Sequence, residues 1–285
     1  MGRSAKDVKH YIKKYGRAIA IAYLFLGTLL WIFQERLVFH PSSTLAHTPD
    51  LYELKYEEVW LPVLGTSAQL HGWWIPSQQP QTPVLLYLHH NAGNIGANVS
   101  QASAFHRLGY SVFLVDYRGF GQSEGDFPNE TQVYEDAEIA WEYLTKTRKI
   151  SPQEILIYGH SLGSAIAVNL AVQHPEAGGL ITHNALTSLR DMTKRFGVFY
   201  LFPIDLMLRQ EFDSLTKISS LEIPVLFIHG VRDPQIPAKM SQRLYDAAPE
   251  PKQLLLIPDA GHDNNMKEED LQKVGQFLEQ MVSSE

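Results

Sequence analysis

The chain of 285 residues contains no cysteine. It therefore has no disulfide framework, no thiolate metal site and no cysteine nucleophile, and it cannot itself be S-acylated. It also lacks internal repeats and low-complexity tracts. Hydrophobic residues make up 45% of the chain, which is typical of a globular protein with a sizeable core. The length suits one large α/β domain with an appendage.

Positive charge is scarce outside the first 36 residues. The net charge is −7, and residues 1–36 hold seven Lys and Arg against two Asp and Glu, whereas the remainder holds 17 against 29. An acidic body argues against nucleic acid as a partner. A basic N-terminus beside an apolar run indicates a membrane instead.

Residues 18–33 form an uncharged apolar run. As a helix these residues would span about 24 Å, somewhat less than a ~30 Å hydrocarbon core, and Leu37–Phe39 extend the apolar character. We interpret the run as an uncleaved signal anchor, with the basic N-terminus in the cytoplasm and the body across the membrane. The alternatives are a cleaved signal peptide, although no convincing cleavage motif follows closely, and a helix that lies on the body or in the interface. The basic residues before the run are Arg3, Lys6, Lys9, Lys13, Lys14 and Arg17.

Eight short apolar or β-branched runs predict strands, at residues 56–61, 70–75, 84–89, 111–116, 155–158, 180–183, 225–229 and 254–257. The first two resemble an antiparallel pair, and most later runs are nearly continuous, as in strands buried on both faces. Helical segments are predicted at residues 99–108, 130–146, 161–174, 238–247 and 268–281. The alternation predicts an α/β fold with a mostly parallel, eight-stranded sheet covered by helices on both faces. A site is then expected at the carboxyl ends of the strands.

Residues 184–221 interrupt the alternation with a very apolar insertion. We interpret it as a helical cap over an acyl-binding pocket, and the alternative is a helix packed on the core. The predicted organisation is a basic segment with a membrane anchor helix at residues 1–39, followed by one domain at residues 40–285 that carries this cap.

The sequence Gly159-His160-Ser161-Leu162-Gly163 fits G-x-S-x-G, the nucleophile elbow. A strand-forming run ends just before Ser161 and a helix-forming segment begins just after it, which is the context that the motif requires. The serine is expected in a strained turn that exposes its hydroxyl, with glycines where strand and helix approach closely.

A serine hydroxyl needs a base, and the base needs an acid that fixes its tautomer. In this type of fold the chain order is Ser, acid, His. Asp233 follows the strand at 225–229 and His262 follows the strand at 254–257, so we predict the catalytic residues Ser161, Asp233 and His262. Asp259 and Asp205 are rival acids.

Two N–H groups are needed for an oxyanion hole. We assign them to Leu162, after the nucleophile, and to Asn91 in the loop after the strand at 84–89, with Ala92 as second choice. His89 and His90 are adjacent and would face opposite ways on a strand, so they are poor joint metal ligands. No cofactor or metal is predicted.

With these residues placed, the chain resembles an α/β-hydrolase, and more closely the Bem46-like branch of membrane-anchored serine hydrolases; it is also similar to serine aminopeptidases of the S33 type. The resemblance covers about residues 30–280. The motifs that carry it are Phe39-His40-Pro41, Asn91-Ala92-Gly93-Asn94, Asp116-Tyr117-Arg118-Gly119-Phe120-Gly121, the elbow, Phe212-Asp213-Ser214-Leu215, His229-Gly230 with Asp233, and Gly261-His262. Such proteins usually have glycine where this chain has His90.

The resemblance and the triad order imply a serine hydrolase that cleaves acyl esters or thioesters through an acyl-enzyme. The apolar insertion and the nearby membrane favour lipid-like substrates with medium or long acyl chains. The alternative enzyme is an aminopeptidase or amidase, in which Glu124 and Asp126 are candidates to hold the substrate's ammonium group. A catalytically silent scaffold tethered to a membrane is the alternative outside enzymes.

Overall fold

The computed structural model describes residues 5–79, 82–263 and 267–282, with side chains at 14–79, 82–263, 267 and 269–277. Arg3 lies outside the described residues, and so do the side chains of Lys6, Lys9 and Lys13. Part of the charge on which the predicted membrane orientation rests therefore lies outside the described structure.

An eight-stranded sheet forms the centre of the body. Its strands are β1 (Glu57–Pro62), β2 (Gln69–Ile75), β3 (Val84–Leu88), β4 (Ser111–Val115), β5 (Ile155–His160), β6 (Gly179–His183), β7 (Val225–Gly230) and β8 (Lys252–Ile257). Their spatial order is β8-β7-β6-β5-β3-β4-β2-β1. The pairings of β2 with β1 and with β4 are antiparallel, and the others are parallel. The predicted strands and the mostly parallel sheet are confirmed.

Every residue of β3 to β7 is buried because helices cover both faces of the sheet. The helices are α1 (Ala5–Ile32), α2 (Gln34–Val38), α3 (Val99–Arg107), α4 (Glu130–Glu142), α5 (Leu162–Gln173), α6 (Leu189–Thr193), α7 (Ile204–Met207), α8 (Ser214–Ile218), α9 (Ala238–Ala247) and α10 (Glu268–Val282). One apolar core packs α4, α5 and α9 against the sheet, and a second packs α3 and α10 against the other face. The predicted helix at 130–146 ends early, because a wider π turn replaces it at Tyr143–Thr147.

Between β6 and β7 the chain forms the helices α6, α7 and α8 and a 3₁₀ turn at Gly197–Leu201. Side-chain caps fix two of the helix starts, since Ser188 accepts a hydrogen bond from the Asp191 N–H and Asp213 accepts one from the Thr216 N–H. We call the part of this insertion from residue 196 to residue 208 the cap segment.

The chain between α1 and β1 is tied to the body. Phe39 is buried, and the two-residue strand His40–Pro41 pairs in parallel with Ala92–Gly93. Asn94 Nδ2 donates to the carbonyl oxygens of Ser42 and Thr44. The predicted boundary at residue 39 lies directly before this paired strand, and Phe39 itself packs into the core that contains α4, α5 and α9.

Candidate active site

Ser161 stands at a sharp turn between the end of β5 and the start of α5. Its φ is +55°, a strained conformation for a residue with a side chain, and its N–H donates to the His183 carbonyl at 2.8 Å. A β-carbon on Gly159 would lie 2.2 Å from the Gly163 carbonyl oxygen, and one on Gly163 would lie 2.2 Å from the Leu88 carbonyl oxygen. Only glycine fits at either position, so the spacing of the motif follows from the packing of β5, α5 and β3.

The structure brings Ser161, His262 and Asp233 together. His262 Nε2 accepts a hydrogen bond from Ser161 Oγ at 3.0 Å, and His262 Nδ1–H donates to Asp233 Oδ2 at 2.6 Å. The three residues come from loops after β5, β8 and β7, and all three are buried. This is the geometry by which an imidazole can take the proton from a serine hydroxyl.

Asp233 is held in its ionised form. Burial alone would raise its pKa, but the hydrogen bonds from His262 and from the N–H groups of Ile236 and Gln235 outweigh burial and hold the pKa below its ordinary value. An ionised carboxylate at this position orients the imidazole and stabilises it when it becomes charged.

The two rival acids point elsewhere. Asp259 forms an ion pair with Arg232 at 2.7 Å, and Asp205 forms one with Arg190 at 3.3 Å. All four side chains are largely exposed to solvent, so these carboxylates lie in surface pairs instead of beside the imidazole.

Asn184, directly after β6, was not singled out from the sequence. Its Nδ2 donates to the carbonyl of His262 at 2.7 Å, and its Oδ1 accepts from the Gly230 N–H at 2.9 Å. Its φ is +51°, which asparagine tolerates better than most residues. One buried amide thus ties the loop that carries His262 to the end of β7, three residues before Asp233. An asparagine immediately past a buried strand was the available signal.

Asn91 and Ala92 border the same cavity as Ser161 and Leu162. The Ala92 N–H donates to His90 Nδ1 at 3.3 Å, and Asn91 Nδ2 donates to the Val38 carbonyl. Burial, together with the neighbouring His89 and His262, lowers the pKa of His90 to about 4. The His90 imidazole is therefore neutral at pH 7 and accepts a bond from the loop.

A small cavity of about 60 Å³ lies behind the triad and is lined by His90, His160, His183 and His262. Ligand atoms of His160, His262 and Asp263 lie within 4.8 Å of one another, a grouping that sequence spacing did not predict. His262 is bonded through both ring nitrogens, and His160 Nε2–H donates to the His262 carbonyl at 3.1 Å. Metal binding there would displace the hydrogen bonds of the base.

A larger, mostly apolar cavity of about 480 Å³ opens in front of Ser161. Its lining residues are Leu30, Gln34, Leu37, Val38, His40, Asn91, Ala92, Ser161, Leu162, Leu186, Leu189, Met192, Thr193, Phe196, Phe199, Ile204, Met207, Leu208, Gln235 and Ile236. Among the described residues, no carboxylate lines it. The size and lining suit an elongated hydrocarbon group next to the serine.

Two family models match consecutive parts of the chain. Residues 79–209 match the family model described as serine aminopeptidase, S33, and residues 203–285 match the model described as PhoPQ-activated pathogenicity-related protein. The second match spans the stretch that holds Asp233 and His262.

Several curated proteins are similar over most of the chain. Protein bem46 of Schizosaccharomyces pombe is 30% identical, with 83% of this chain and 82% of that protein covered. Alpha/beta hydrolase domain-containing protein WAV2 of Arabidopsis thaliana is 31% identical, with 77% of each covered. Alpha/beta hydrolase domain-containing protein 17B of Homo sapiens is 34% identical, with 70% and 66% covered.

Solved structures share the fold at low identity. An esterase of Pyrococcus furiosus superposes with a TM-score of 0.68 at 20% identity, covering 86% of this chain and 98% of that one. An acylaminoacyl peptidase of Pyrococcus horikoshii gives a TM-score of 0.63 at 15% identity, covering 80% and 41%.

Proposed function

The chain belongs to the Bem46-like branch of the α/β-hydrolase family, and from this premise we propose that it is a serine hydrolase that cleaves acyl esters or thioesters. The observation that carries the proposal is the hydrogen-bonded chain from Asp233 through His262 to Ser161, which faces an apolar cavity.

In the first half of the reaction, Ser161 Oγ attacks the acyl carbonyl carbon while His262 Nε2 takes the hydroxyl proton. The negative charge that develops on the carbonyl oxygen is stabilised by the N–H groups of Leu162 and Asn91. We favour Asn91 over Ala92 because the Ala92 N–H already donates to His90. The intermediate then breaks its bond to the leaving alcohol or thiol, which receives the proton from His262.

In the second half, water attacks the acyl-enzyme while His262 takes its proton. The bond between the acyl carbon and Ser161 Oγ breaks, the serine is reprotonated and the fatty acid leaves. The apolar cavity holds the acyl chain throughout. Each buried methylene contributes roughly 0.8 kcal/mol to binding, so we expect octanoyl esters to exceed acetyl esters in kcat/KM by more than about tenfold.

The test combines labelling and hydrolysis. Wild type should react with a fluorophosphonate probe and cleave a p-nitrophenyl ester series, and Ser161→Ala should do neither. Ser103→Ala, a buried serine on α3, is the matched control and should retain both activities. Labelling that persists in Ser161→Ala would refute the assignment. A well-folded wild type without either activity would favour a silent scaffold, and equal rates on acetyl and octanoyl esters would remove the chain-length claim.

The aminopeptidase alternative has less support from the geometry. Glu124 Oε2 accepts a hydrogen bond from the Gln69 N–H at 3.0 Å, and neither Glu124 nor Asp126 borders the cavity in front of the serine. A panel of aminoacyl amides beside the acyl esters separates the two activities, and faster cleavage of the amides would reverse our preference.

We also propose that α1 is the uncleaved signal anchor. Its stretch Lys14–Ile32 has a mean hydropathy of 1.5 and is long and apolar enough to cross a membrane. By the positive-inside rule, the basic residues before the helix favour a cytoplasmic N-terminus, with the hydrolase domain on the other side of the membrane. Membrane extraction with alkaline carbonate tests the anchor, and protease protection of the body in sealed vesicles tests the orientation. Release by carbonate, or digestion of the body from the cytoplasmic side, would contradict it.

A further inference from the structure

The last part of α1 and the cap segment form one continuous structure. Tyr23 Oη donates to the Leu201 carbonyl at 2.8 Å, and the Tyr23 ring stacks on Phe202 with centroids 5.1 Å apart. One turn further on, a β-carbon on Gly27 would lie 3.7 Å from the side chains of Met207 and Phe202, so these side chains approach the helix there. The cap segment therefore packs against the last part of α1.

Polar contacts fix the other end of this interface. Gln34 Nε2 donates to the Met207 carbonyl at 2.7 Å, and Gln34 Oε1 accepts from the Arg209 N–H at 2.8 Å. The Arg209 guanidinium bonds Glu35 at 2.9 Å and lies over the ring of Trp31. These contacts put hydrogen-bonded polar groups and the ring of Trp31 at the end of the apolar helix, and Trp is enriched where a protein meets the membrane–water interface.

The distances set the depth of the cap segment if α1 spans a bilayer. From Tyr23 to Ile32 the helix rises about 14 Å, which is roughly half of a ~30 Å hydrocarbon core. The partners of Tyr23, Leu201 and Phe202, would then lie near mid-depth. Residues 196–204 contain no charged side chain, and Asp205, the one charged residue of the cap segment, is paired with Arg190 at 3.3 Å. Immersion therefore brings no unpaired charge of the cap segment into the hydrocarbon.

The exposed surface agrees with this depth. Phe196, Val198, Tyr200, Leu201 and Leu206 are between 55% and 85% exposed, which is unusual for side chains of this kind in water. Eleven more exposed large hydrophobic side chains lie between residues 15 and 37, whereas six are scattered over the rest of the described chain. Helix and cap segment therefore present one apolar surface.

We propose that the cap segment is immersed in one leaflet beside α1, so that the cavity in front of Ser161 receives its acyl chain sideways from the bilayer. The occupant of the apolar surface is the leaflet hydrocarbon, and the substrate is a long-chain acyl ester or thioester dissolved in that leaflet. Leu37 and Phe196 belong to this exposed surface and also line the cavity, as do the half-buried Leu30 and Met207. The part concerning the substrate rests on the proposed hydrolase function, and the immersion does not.

The absence of cysteine allows a direct test of immersion. In full-length protein reconstituted in vesicles, single variants Tyr200→Cys and Leu206→Cys carry a fluorescent label, with Leu64→Cys as the matched control because Leu64 is 84% exposed in the turn between β1 and β2. Brominated lipid should quench the label at both cap positions and leave the control bright. Equal quenching at all three positions, or none at the cap, overturns the proposal whether or not the protein hydrolyses anything.

A charge introduced on the exposed apolar surface tests whether the acyl chain enters from the bilayer. Leu206→Glu should lower the rate on a long-chain acyl ester held in the vesicle by about tenfold, because a carboxylate is costly in hydrocarbon. It should leave cleavage of a soluble butanoyl ester unchanged, as should Leu64→Glu for both substrates. An equal fall on both substrates, or no fall on either, overturns lateral access. A long-chain acylglycerol and an S-acylated peptide, each held in the same vesicles, tell which source supplies the chain.

Discussion

The candidate site has a polar wall behind Ser161 and an apolar wall in front of it, and the two differ in the contacts that they require. Behind Ser161, the loops at the carboxyl ends of β6, β7 and β8 hold buried polar groups that are hydrogen-bonded to one another, among them Asn184, Asp233 and His262. In front of it, the cap segment and the end of α1 hold apolar side chains, many of them exposed. Buried polar groups require exact partners, whereas apolar surface requires only shape and an apolar surrounding.

This contrast separates what each wall does. The polar wall fixes atoms to within hydrogen-bond distance, which proton transfer needs, and a change of one side chain leaves a partner unsatisfied. The apolar wall contributes packing surface without directional bonds, so its residues can be exchanged for others of similar size. We therefore expect single substitutions behind the serine to have much larger effects on kcat than single substitutions in front of it.

Asp233→Asn is expected to have the largest effect. The amide keeps an Oδ1 that can accept from Gln235 and Ile236, but it presents an NH₂ group to His262 Nδ1 and favours the wrong tautomer. We expect kcat to fall by about 10³–10⁴-fold with little change in stability. Steady-state kinetics on an octanoyl ester measure the fall, and a loss smaller than tenfold in folded protein would contradict the role of Asp233.

Asn184→Leu comes second, because it leaves the Gly230 N–H and the His262 carbonyl without this partner in a buried place. We expect about 2–4 kcal/mol lower stability and a fall in kcat of about 10–100-fold with KM nearly constant. Asn184→Gly is the matched control, since it keeps the positive φ and removes only the amide. If Asn184→Gly matched wild type in kcat, the amide would have no positioning role.

The polar wall was largely predictable because each of its main residues follows a strand that the sequence shows as an apolar run. Ser161, Asp233 and His262 lie one to five residues beyond the ends of β5, β7 and β8. Asn184 was not predicted because its partners are backbone groups, and every residue has a backbone N–H or carbonyl whatever its type. Its role depends on the approach of two loops that only the completed sheet sets.

The apolar wall was predictable only in composition. The insertion was expected to cover a pocket, but nothing in its sequence indicated that Phe202 and Met207 would lie against α1. Contacts between apolar residues far apart in the chain have no motif, because many side chains would satisfy them. For the same reason, the sequence indicates Leu30 and Leu37 only as parts of an apolar run, whereas in the structure both line the cavity.

A change of pH tests the buried histidines behind the serine. In the unfolded chain His90 takes up a proton near pH 6.5, whereas burial lowers the pKa to about 4 in the folded state. Between these values the unfolded state binds more protons, so stability is complete above pH 6.5 and falls as the pH drops towards 4.

For His90 this loss amounts to about 2 kcal/mol at pH 5. His90→Asn retains an oxygen that can accept from the Ala92 N–H but does not titrate. We expect the drop in Tm between pH 7.5 and pH 5 to be about 4 °C smaller in this variant than in wild type, measured by thermal unfolding in detergent. Equal drops in both proteins would show that His90 is not kept neutral by the fold.

The smallest effect is expected at the rival acid. Asp259 is three residues from His262 in the chain, closer than Asp233, yet it pairs with Arg232 at the surface. An exposed pair contributes at most about 1 kcal/mol, so Asp259→Asn should leave kcat/KM within about twofold of wild type and stability within that limit. The assay is the octanoyl ester series used for Asp233→Asn. If kcat fell as far in Asp259→Asn as in Asp233→Asn, the assignment of Asp233 as the carboxylate partner of His262 would be wrong.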